Sequence, residues 1–382
     1  MKPAKPHISV APMLDWTDRH CRYFHRLLSP HARLYTEMVT TGALLHGDAD
    51  RHLRCDPAEK YVALQLGGSE AEDLALCAKM GADYGYDEIN LNCGCPSERV
   101  QKGAFGACLM KEPDMVARCV EAMAKAVNIP VTVKCRIGID DVEAEPFLRD
   151  FIRAVSNAGC GAFIIHARKA WLKGLSPKEN RDIPPLDYTL PAKMKAEFPH
   201  LHIILNGGIK TVAQIKDFLP RAAPGGAFTG QADDAGCAWY MDGDTPEDGG
   251  EDNGTLKNGG EDEDKGASKS AHKDACNDDA HYDGVMIGRE AYQNPGILLA
   301  IERDIFGNGE TLSMEEAVLA MIPYIERQMR DHGTPMKSIT RHMTGLFSGQ
   351  RGSRAWRRAL STEPHHEGAG PHILEQALAR LG

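Results

Sequence analysis

The sequence lacks the features that mark membrane, secreted and disulfide-stabilised proteins. It has no run of about 18 apolar residues, so no segment is expected to span a bilayer. Residues 1–7 carry two lysines and no apolar stretch, so we expect no secretory signal. The eleven cysteines are odd in number and irregularly spaced, which argues against a disulfide framework. We therefore expect a reducing compartment, either the cytoplasm or an organelle stroma or matrix.

Acidic charge is concentrated in one segment. Residues 222–282 hold fifteen Asp and Glu against four Lys, a balance of −11, so the rest of the chain carries +1 of the formal charge of −10. The segment is rich in Gly, Asp, Glu and Ser and poor in large apolar groups, so it cannot bury enough surface to offset its ordering entropy. We predict an acidic disordered insertion at 222–282, with an acidic docking segment as the functional alternative.

Eight short β-rich runs alternate with segments of helical periodicity. The runs are 8–11, 33–37, 61–66, 87–91, 131–135, 162–166, 202–205 and 284–287. Helical spacing occurs between them, for example at 70–80, 114–127, 146–158 and 212–219. Eight such alternations predict an α/β fold, a (β/α)8 TIM barrel. A doubly wound open sheet is the alternative, but no GxGxxG turn follows the first strand.

Polar residues, glycines, a proline and methionines fall at the carboxyl ends of the eight predicted strands, where TIM barrels place their active sites. They are Pro12 and Met13, Glu37 and Met38, Gln65, residues 90–95, Lys134 and Arg136, His166 and Arg168, residues 206–208, and Gly288 with Arg289. Packing alone does not require a lysine, a histidine and a glutamine to converge. The pattern therefore predicts a ligand-binding barrel mouth.

From Leu312 onward the pattern is helical only, in segments 313–331, 335–346, 353–361 and 373–381. Between His332 and Thr362 the chain has six Lys and Arg and no Asp or Glu. A solvated helix face is the ordinary explanation of such charges, but a long stretch without a carboxylate favours a polyanion-binding surface. We predict two domains, a catalytic barrel at 1–310 and a helical nucleic-acid-binding domain at 311–382.

The stretch 92–97, which reads NCGCPS, displays a thiol in a glycine–proline turn after a strand. Such a thiol can be a nucleophile, a metal ligand or a proton donor, and a buried structural cysteine is the alternative. Cys93 and Cys95 are too closely spaced for the usual zinc pair, and no second pair follows. We therefore expect no metal site.

Glycine turns after the seventh and eighth strands predict a phosphate site. Backbone N–H groups at 206–208 and at Gly288 could approach phosphate oxygens, and Arg289 could pair with them. Plain turn geometry is the structural alternative. Lys134 suits the electron-rich edge of a reduced flavin, and Gln65 can hydrogen-bond the amide edge of that ring. Together these residues indicate a flavin cofactor.

Six motifs together resemble those of the tRNA-dihydrouridine synthases. They are APMLDWTDR at 11–19, NCGCPS at 92–97, VKCR at 133–136, IHAR at 165–168, NGG at 206–208 and DGVMIGR at 283–289. Two further motifs, RHMTGLF at 341–347 and AWRR at 355–358, resemble the A-type subfamily, which acts on uridines 20 and 20a of the D-loop. The resemblance covers nearly all of 7–362 except the acidic insertion.

The resemblance implies an FMN enzyme that reduces uridine in tRNA with NADPH. The positions that match the family's FMN-binding residues are Pro12, Met13, Leu14, Gln65, Lys134, His166, Asn206, Gly207, Gly208, Gly288 and Arg289. By the same resemblance, Cys95 would be the proton donor. The resemblance also implies that Asn92 and Arg181 contact the tRNA. We further expect contacts from Arg168 at the mouth and, from the acid-free charge pattern, from Arg354, Arg357 and Arg358 in the tail. We expect a monomer that binds neither metal nor membrane.

In the implied reaction, a hydride reaches C6 of uracil, charge develops at C5 and O4, and the neutral thiol of Cys95 protonates C5. Lys134, His166 and Arg168 would stabilise the developing charge. The base must leave the stack to enter the mouth. One alternative is an FMN barrel that reduces a small molecule, as dihydroorotate dehydrogenases do, but it has no use for a basic tail. Another is an inactive RNA-binding module, which Cys95 and the intact glycine turns disfavour.

Overall fold

The computed structural model describes residues 6–97, 103–220, 281–366 and 368–381. The strands in these ranges are β1 (His7–Val10), β2 (Leu34–Tyr35), β3 (Val39–Thr40), β4 (Val62–Gly67), β5 (Glu88–Cys93), β6 (Val131–Arg136), β7 (Ala162–His166), β8 (His202–Asn206) and β9 (Gly284–Ile287). They pair in parallel in the order β1-β9-β8-β7-β6-β5-β4-β2, and a parallel bridge between Ser9 and Arg33 joins the two ends. The predicted (β/α)8 barrel is therefore confirmed, and the open sheet is excluded.

The second barrel strand is split in two. β2 and β3 both pair with β4, with Tyr35 opposite Ala63 and Val39 opposite Leu66. From Tyr35 to Val39 the chain advances four residues, whereas the paired segment of β4 from Ala63 to Leu66 advances three. The second strand therefore holds one extra residue, as in a β-bulge. The strand predicted at 33–37 is therefore wrong at its carboxyl end, because residue propensities do not reveal a bulge.

Helices on the outside connect the strands. They are α1 (Arg19–Leu28), α2 (Thr41–Leu45), α3 (Ala49–Leu53), α4 (Ala71–Asp83), α5 (Pro113–Ala126), α6 (Ala144–Asn157), α7 (Thr189–Glu197), α8 (Val212–Phe218), α9 (Arg289–Gln293) and α10 (Gly296–Asp304). Their apolar faces and the outward strand residues, such as Ile89 and Leu91, form one continuous core. No helix in the described ranges is both long and apolar enough to cross a membrane.

The barrel interior is a packed core with a polar floor. Its apolar side chains are those of Ala11, Tyr35, Ala63, Ala162, Ile164, Ile204 and Met286. At the amino-terminal end of β5, the carboxylate of Glu88 accepts hydrogen bonds from Tyr35 Oη at 2.8 Å and Thr132 Oγ1 at 2.6 Å. Arg33 Nη1 pairs with the other carboxylate oxygen at 3.1 Å. These contacts hold a charged pair inside the barrel, away from the mouth.

The C-terminal region is helical, as predicted. Its helices are α11 (Met314–Ala320), α12 (Ile322–His332), α13 (Met336–Thr340), α14 (Ser353–Thr362) and α15 (His372–Ala379). The single helix predicted at 313–331 is wrong, since α12 begins anew one residue before Pro323. Proline lacks an N–H group and is accepted in the first turn of a helix but not in its interior.

This region packs on α1 of the barrel. The rings of Tyr23 and Tyr324 stack at 3.9 Å, and His20 Nδ1 lies 2.7 Å from Tyr324 Oη. Arg341 pairs with Asp18 at 2.6 Å, so one of the six tail cations binds the barrel itself. The division into domains at residue 310 stays a prediction.

The predicted acidic insertion lies outside the described residues from 222 to 280. Its predicted end at 282 is wrong, because Tyr282 is only 3% exposed and its ring packs edge-on against Phe218. Tyr282 N–H donates to the carbonyl of Phe218 at 3.1 Å. The two ends of the segment therefore meet just before β9, at the barrel face opposite the mouth.

Candidate active site

Cys95 lies on the loop that leaves β5 at the barrel mouth, and it is partly exposed. The side chain of Asn92 holds this loop, because its Oδ1 accepts the N–H groups of Gly94 at 3.1 Å and Cys95 at 3.0 Å. The loop is also tied down by Ala107, whose N–H donates to the carbonyl of Cys95 at 2.9 Å. The backbone that carries the thiol is therefore fixed from two sides.

Cys93 has a different environment. It belongs to the core between strands and helices, is fully buried, and has its pKa raised well above the usual value by that burial. Strand alternation points residues 93 and 92 to opposite sides of the sheet. Of the two thiols, the one at the mouth is that of Cys95.

Arg136, at the end of β6, clamps the Cys95 loop to the loop after β7. Its guanidinium donates to three carbonyl oxygens, those of Gly94 at 3.1 Å, Asn180 at 2.9 Å and Lys169 at 3.2 Å. Burial lowers the pKa of Arg136 to about 10. The sequence-based prediction located Arg136 at a strand end but gave it no role. Its position two residues beyond Lys134, on the same face of β6, is the signal that could have identified it.

Lys134 is the cation inside the mouth. Its Nζ donates to Asn206 Oδ1 at 2.9 Å, and Asn206 Nδ2 in turn donates to the carbonyl of Met286 at 2.8 Å. Burial is the main cause that lowers the pKa of Lys134 to about 8, and the neighbouring Arg136 lowers it further. Residues of β6, β8 and β9 thus hold a lysine for which no carboxylate partner occurs in the described residues.

Gly207 and Gly208 form a turn that only glycine accommodates. Their φ angles are +116° and +72°, and a Cβ on Gly207 would lie 2.6 Å from His166 Cδ2. Tyr188 Oη donates to the carbonyl of Gly207 at 2.8 Å. Burial and the nearby cations lower the pKa of His166 well below its usual value, so its imidazole is neutral at neutral pH. His166 can therefore hydrogen-bond a ligand but does not add charge.

Arginines surround the mouth on the loops after β7 and β9. Arg289 donates to Asp182 Oδ1 at 2.7 Å, and Arg168 donates to the carbonyl of Pro184. Arg181 is exposed on the same loop as Asp182. A Cβ on Gly288 would meet nothing within 4 Å among the described residues, so the turn beside Arg289 is open.

The loop after β1 completes the mouth. Met13 exchanges hydrogen bonds with Thr17 and packs against the interior cluster, whereas the side chain of Leu14 is 64% exposed. Pro12 is partly exposed at the start of this loop. The loop therefore offers an apolar edge beside the polar interior.

The tail arginines lie apart from this group. Arg354, Arg357 and Arg358 are exposed on α14, which is anchored by the buried Trp356. Within the described ranges none of the three pairs with a carboxylate. The structure thus brings together the predicted mouth residues and leaves the tail cations as a separate surface.

These residues fit a phosphate-bearing flavin. Lys134, Arg289 and the two glycine turns supply cations and close backbone approach, which phosphates and an electron-rich ring edge require. In the part of the chain that the structure describes, no group of three or more His, Cys, Asp or Glu residues is placed to hold a metal ion. A closed barrel with a thiol, a lysine and a phosphate-type turn at its mouth defines a TIM-barrel enzyme of the flavin-binding type.

Comparisons with known proteins identify the family. The model of the dihydrouridine synthase family matches residues 9–232 and 266–381, and leaves part of the acidic insertion unmatched. The chain therefore belongs to the dihydrouridine synthase family, whose enzymes are in general flavin-dependent.

Curated relatives cover almost the whole chain. A tRNA-dihydrouridine(20/20a) synthase of Vibrio cholerae is 49% identical over 98% of this chain and 96% of the relative. The enzyme of the same name from Escherichia coli (strain K12) is 51% identical over 97% of this chain and 90% of the relative. That from Yersinia pestis is 48% identical over 99% and 93%. The family resemblance seen in the motifs is confirmed.

Proposed function

We propose that this protein is a tRNA-dihydrouridine synthase that reduces uridines 20 and 20a of the D-loop with NADPH through bound FMN. The observation that carries the proposal is the position of Cys95, a partly exposed thiol on a clamped loop beside a partly buried lysine at the mouth of a dihydrouridine synthase barrel. The relatives named for this reaction are about half identical to the chain over nearly its full length.

Cys95 donates the proton. The S–H group of a cysteine can act as a general acid. The Asn92 amide and the Arg136 guanidinium hold the backbone just before Cys95, and the N–H of Ala107 holds the carbonyl of Cys95 itself, which keeps Sγ directed at one position. Proton transfer to C5 of uracil needs that geometry.

FMN, when bound, supplies the hydride that it has received from NADPH. Lys134 would place a positive charge at the ring edge where negative charge accumulates, and a nearby anion would favour the charged form that burial disfavours. Asn206 orients the lysine, and the neutral His166 and Gln65 contribute hydrogen bonds. The turns formed by residues 206–208 and Gly288 would hold the phosphate, with Arg289 as its cation.

Transfer RNA binds at two places. Asn92, Arg168 and Arg181 contact the uridine and its neighbouring phosphates at the mouth, where the base must leave the stack. Arg354, Arg357 and Arg358 neutralise phosphates at a distance from the reaction. The helical region from 311 to 382 thus forms the second domain of a monomer that works in the cytoplasm or an organelle stroma or matrix.

The experiment uses the purified full chain and unmodified tRNA transcripts. With NADPH, we expect the protein's reduced flavin to be reoxidised by tRNA and mass mapping to find dihydrouridine at positions 20 and 20a. Transcripts with cytidine at position 20, at 20a or at both are the matched controls, and each should lose only the corresponding product. Reoxidation by orotate or fumarate but not by tRNA would contradict the proposal and support a small-molecule reductase.

A further inference from the structure

A single chain of hydrogen bonds runs from the barrel floor to the Cys95 loop. At the floor, Thr132 Oγ1 donates to Glu88 Oε1 at 2.6 Å, and Asn90 Nδ2 donates to Thr132 Oγ1 at 2.8 Å. Higher up, Gln65 Nε2 donates to Asn90 Oδ1 at 2.8 Å, and Asn92 Nδ2 donates to Gln65 Oε1 at 2.8 Å. Asn92 Oδ1 then accepts the two loop N–H groups. These side chains are nearly or fully buried.

The two ends of the chain permit only one direction of donation. A carboxylate paired with Arg33 is an acceptor only, so the hydroxyl of Thr132 must donate to Glu88 and accept from Asn90. Backbone N–H groups are donors only, so Asn92 must face the loop with its oxygen. Between these ends, each amide has one orientation that makes every bond. The chemistry of the ends therefore determines the amide orientations.

We infer that Glu88 and Thr132 are positioning residues for the reaction, although they lie at the floor of the barrel. They set the polarity of the chain, and the chain holds the Cys95 loop through Asn92. The inference rests on the proposed function for its catalytic consequence, whereas the positioning of the loop is a property of the protein itself.

The polarity has a consequence for substrate recognition. Asn92 Oδ1 already accepts two N–H groups, so the amide has only its second N–H left to offer a ligand. Gln65 likewise keeps one N–H after donating to Asn90. Both amides thus present donors to the mouth. Donors suit carbonyl oxygens, such as O4 of uracil, on which negative charge develops.

Thr132→Val interrupts the chain of hydrogen bonds with little change in side-chain volume, and Tyr35→Phe is its matched control. The control removes a buried hydrogen bond to the same oxygen of Glu88 but leaves the chain intact. In single-turnover experiments, we expect Thr132→Val to slow reoxidation of the reduced enzyme by tRNA about tenfold, the factor for one lost hydrogen bond. Reduction by NADPH and tRNA affinity should stay within twofold of wild type in both variants. Thr132→Ser, which keeps the hydroxyl, should restore the rate.

Amide hydrogen exchange tests the positioning of the Cys95 loop without an activity measurement. In the flavin-free protein, Thr132→Val should raise exchange at the N–H groups of Gly94 and Cys95 by about tenfold, and Tyr35→Phe should not. Equal exchange and equal rates in the two variants would overturn the inference. If wild type makes no dihydrouridine, the proposed function fails but the exchange result still decides the inference. If Thr132→Val does not fold, Thr132→Cys, with its weaker acceptor, serves the same comparison.

Discussion

The barrel mouth and the C-terminal tail both carry arginines, but Arg136 at the mouth and the three arginines of α14 are held in opposite ways. At the mouth, the guanidinium of Arg136 is buried and bound to three carbonyl oxygens, so its position is fixed. On α14, Arg354, Arg357 and Arg358 are exposed and, in the described ranges, have no carboxylate partner. A fixed cation suits one small reacting group, whereas exposed cations suit the diffuse charge of a nucleic-acid backbone. The two regions should therefore respond to different perturbations.

The largest effect should come from Cys95→Ala. Removing the proton donor should lower dihydrouridine formation by at least about 100-fold, the usual contribution of general acid catalysis. Flavin content and reduction by NADPH should be unchanged, because Cys95 takes part only in the step with tRNA. Product formation is measured by mass mapping.

Cys93→Ala is the matched control for that prediction, since it removes a neighbouring thiol from the core rather than the mouth. It should retain most activity. If Cys93→Ala abolishes product and Cys95→Ala does not, the proton donor has been assigned to the wrong thiol.

Lys134→Met should separate binding from stability within the mouth. Flavin retention should be largely lost, because the cation at the ring edge is removed. The flavin-free variant should nevertheless be more stable than wild type at pH 7, on the order of 1–3 kcal/mol, since a buried charge disappears. Urea unfolding of the two flavin-free proteins measures the difference.

The stability difference between Lys134→Met and wild type should depend on pH in one direction. The pKa of Lys134 is lowered from 10.5 to about 8, so the cost of burying the charge is present below pH 8 and disappears between about pH 8 and 10.5. The stability advantage of Lys134→Met should therefore shrink over that window as the pH rises. A stability advantage that stays constant from pH 7 to 10.5 would show that burial does not destabilise the charged form of Lys134.

The triple variant Arg354→Ala, Arg357→Ala and Arg358→Ala should affect only the tail. It should weaken tRNA binding and reduce the slope of log affinity against log salt by about two to three, because three phosphate contacts are lost. Reduction of the flavin by NADPH should be unaffected. Binding titrations from low to high salt make the measurement.

A control triple variant replaces exposed cations on barrel helices, Lys79, Lys125 and Arg153, with Ala. It should leave the salt slope near that of wild type. Native tRNA affinity of the tail variant at every salt concentration would rule out a role of these arginines in tRNA binding, and a lowered melting temperature would indicate that they hold the tail together instead.

Deletion of residues 225–280 should have the smallest effect on both regions. The flanking residues Phe218 and Tyr282 are hydrogen-bonded at 3.1 Å, so a short linker can replace the segment. The unfolding free energy should change by less than about 2 kcal/mol, and activity should be retained. A deletion variant that yields no soluble flavin-bound protein would show that the segment supports the barrel.

Much of the barrel was predictable because periodicity is a local property. Seven of the predicted strands coincide with observed strands to within one or two residues, and the residues at their carboxyl ends meet at one mouth because parallel strands end on one face. The bulge after Tyr35 and the new start of a helix at Pro323 were missed. Both depend on how neighbouring elements fit, which local propensity does not encode.

The sequence by itself determined the eight-fold alternation, the thiol turn, the glycine turns and the acid-free tail, since each is a matter of residue type and spacing. Only the tertiary structure decided that Cys93 faces the core while Cys95 faces the mouth, that Arg136 joins two loops, and that Arg341 is bound to Asp18. It alone connected Glu88 and Thr132 to the Cys95 loop. The physical reason is that burial, hydrogen-bond partners and charge compensation arise between residues distant in the chain, when strands and loops close around them.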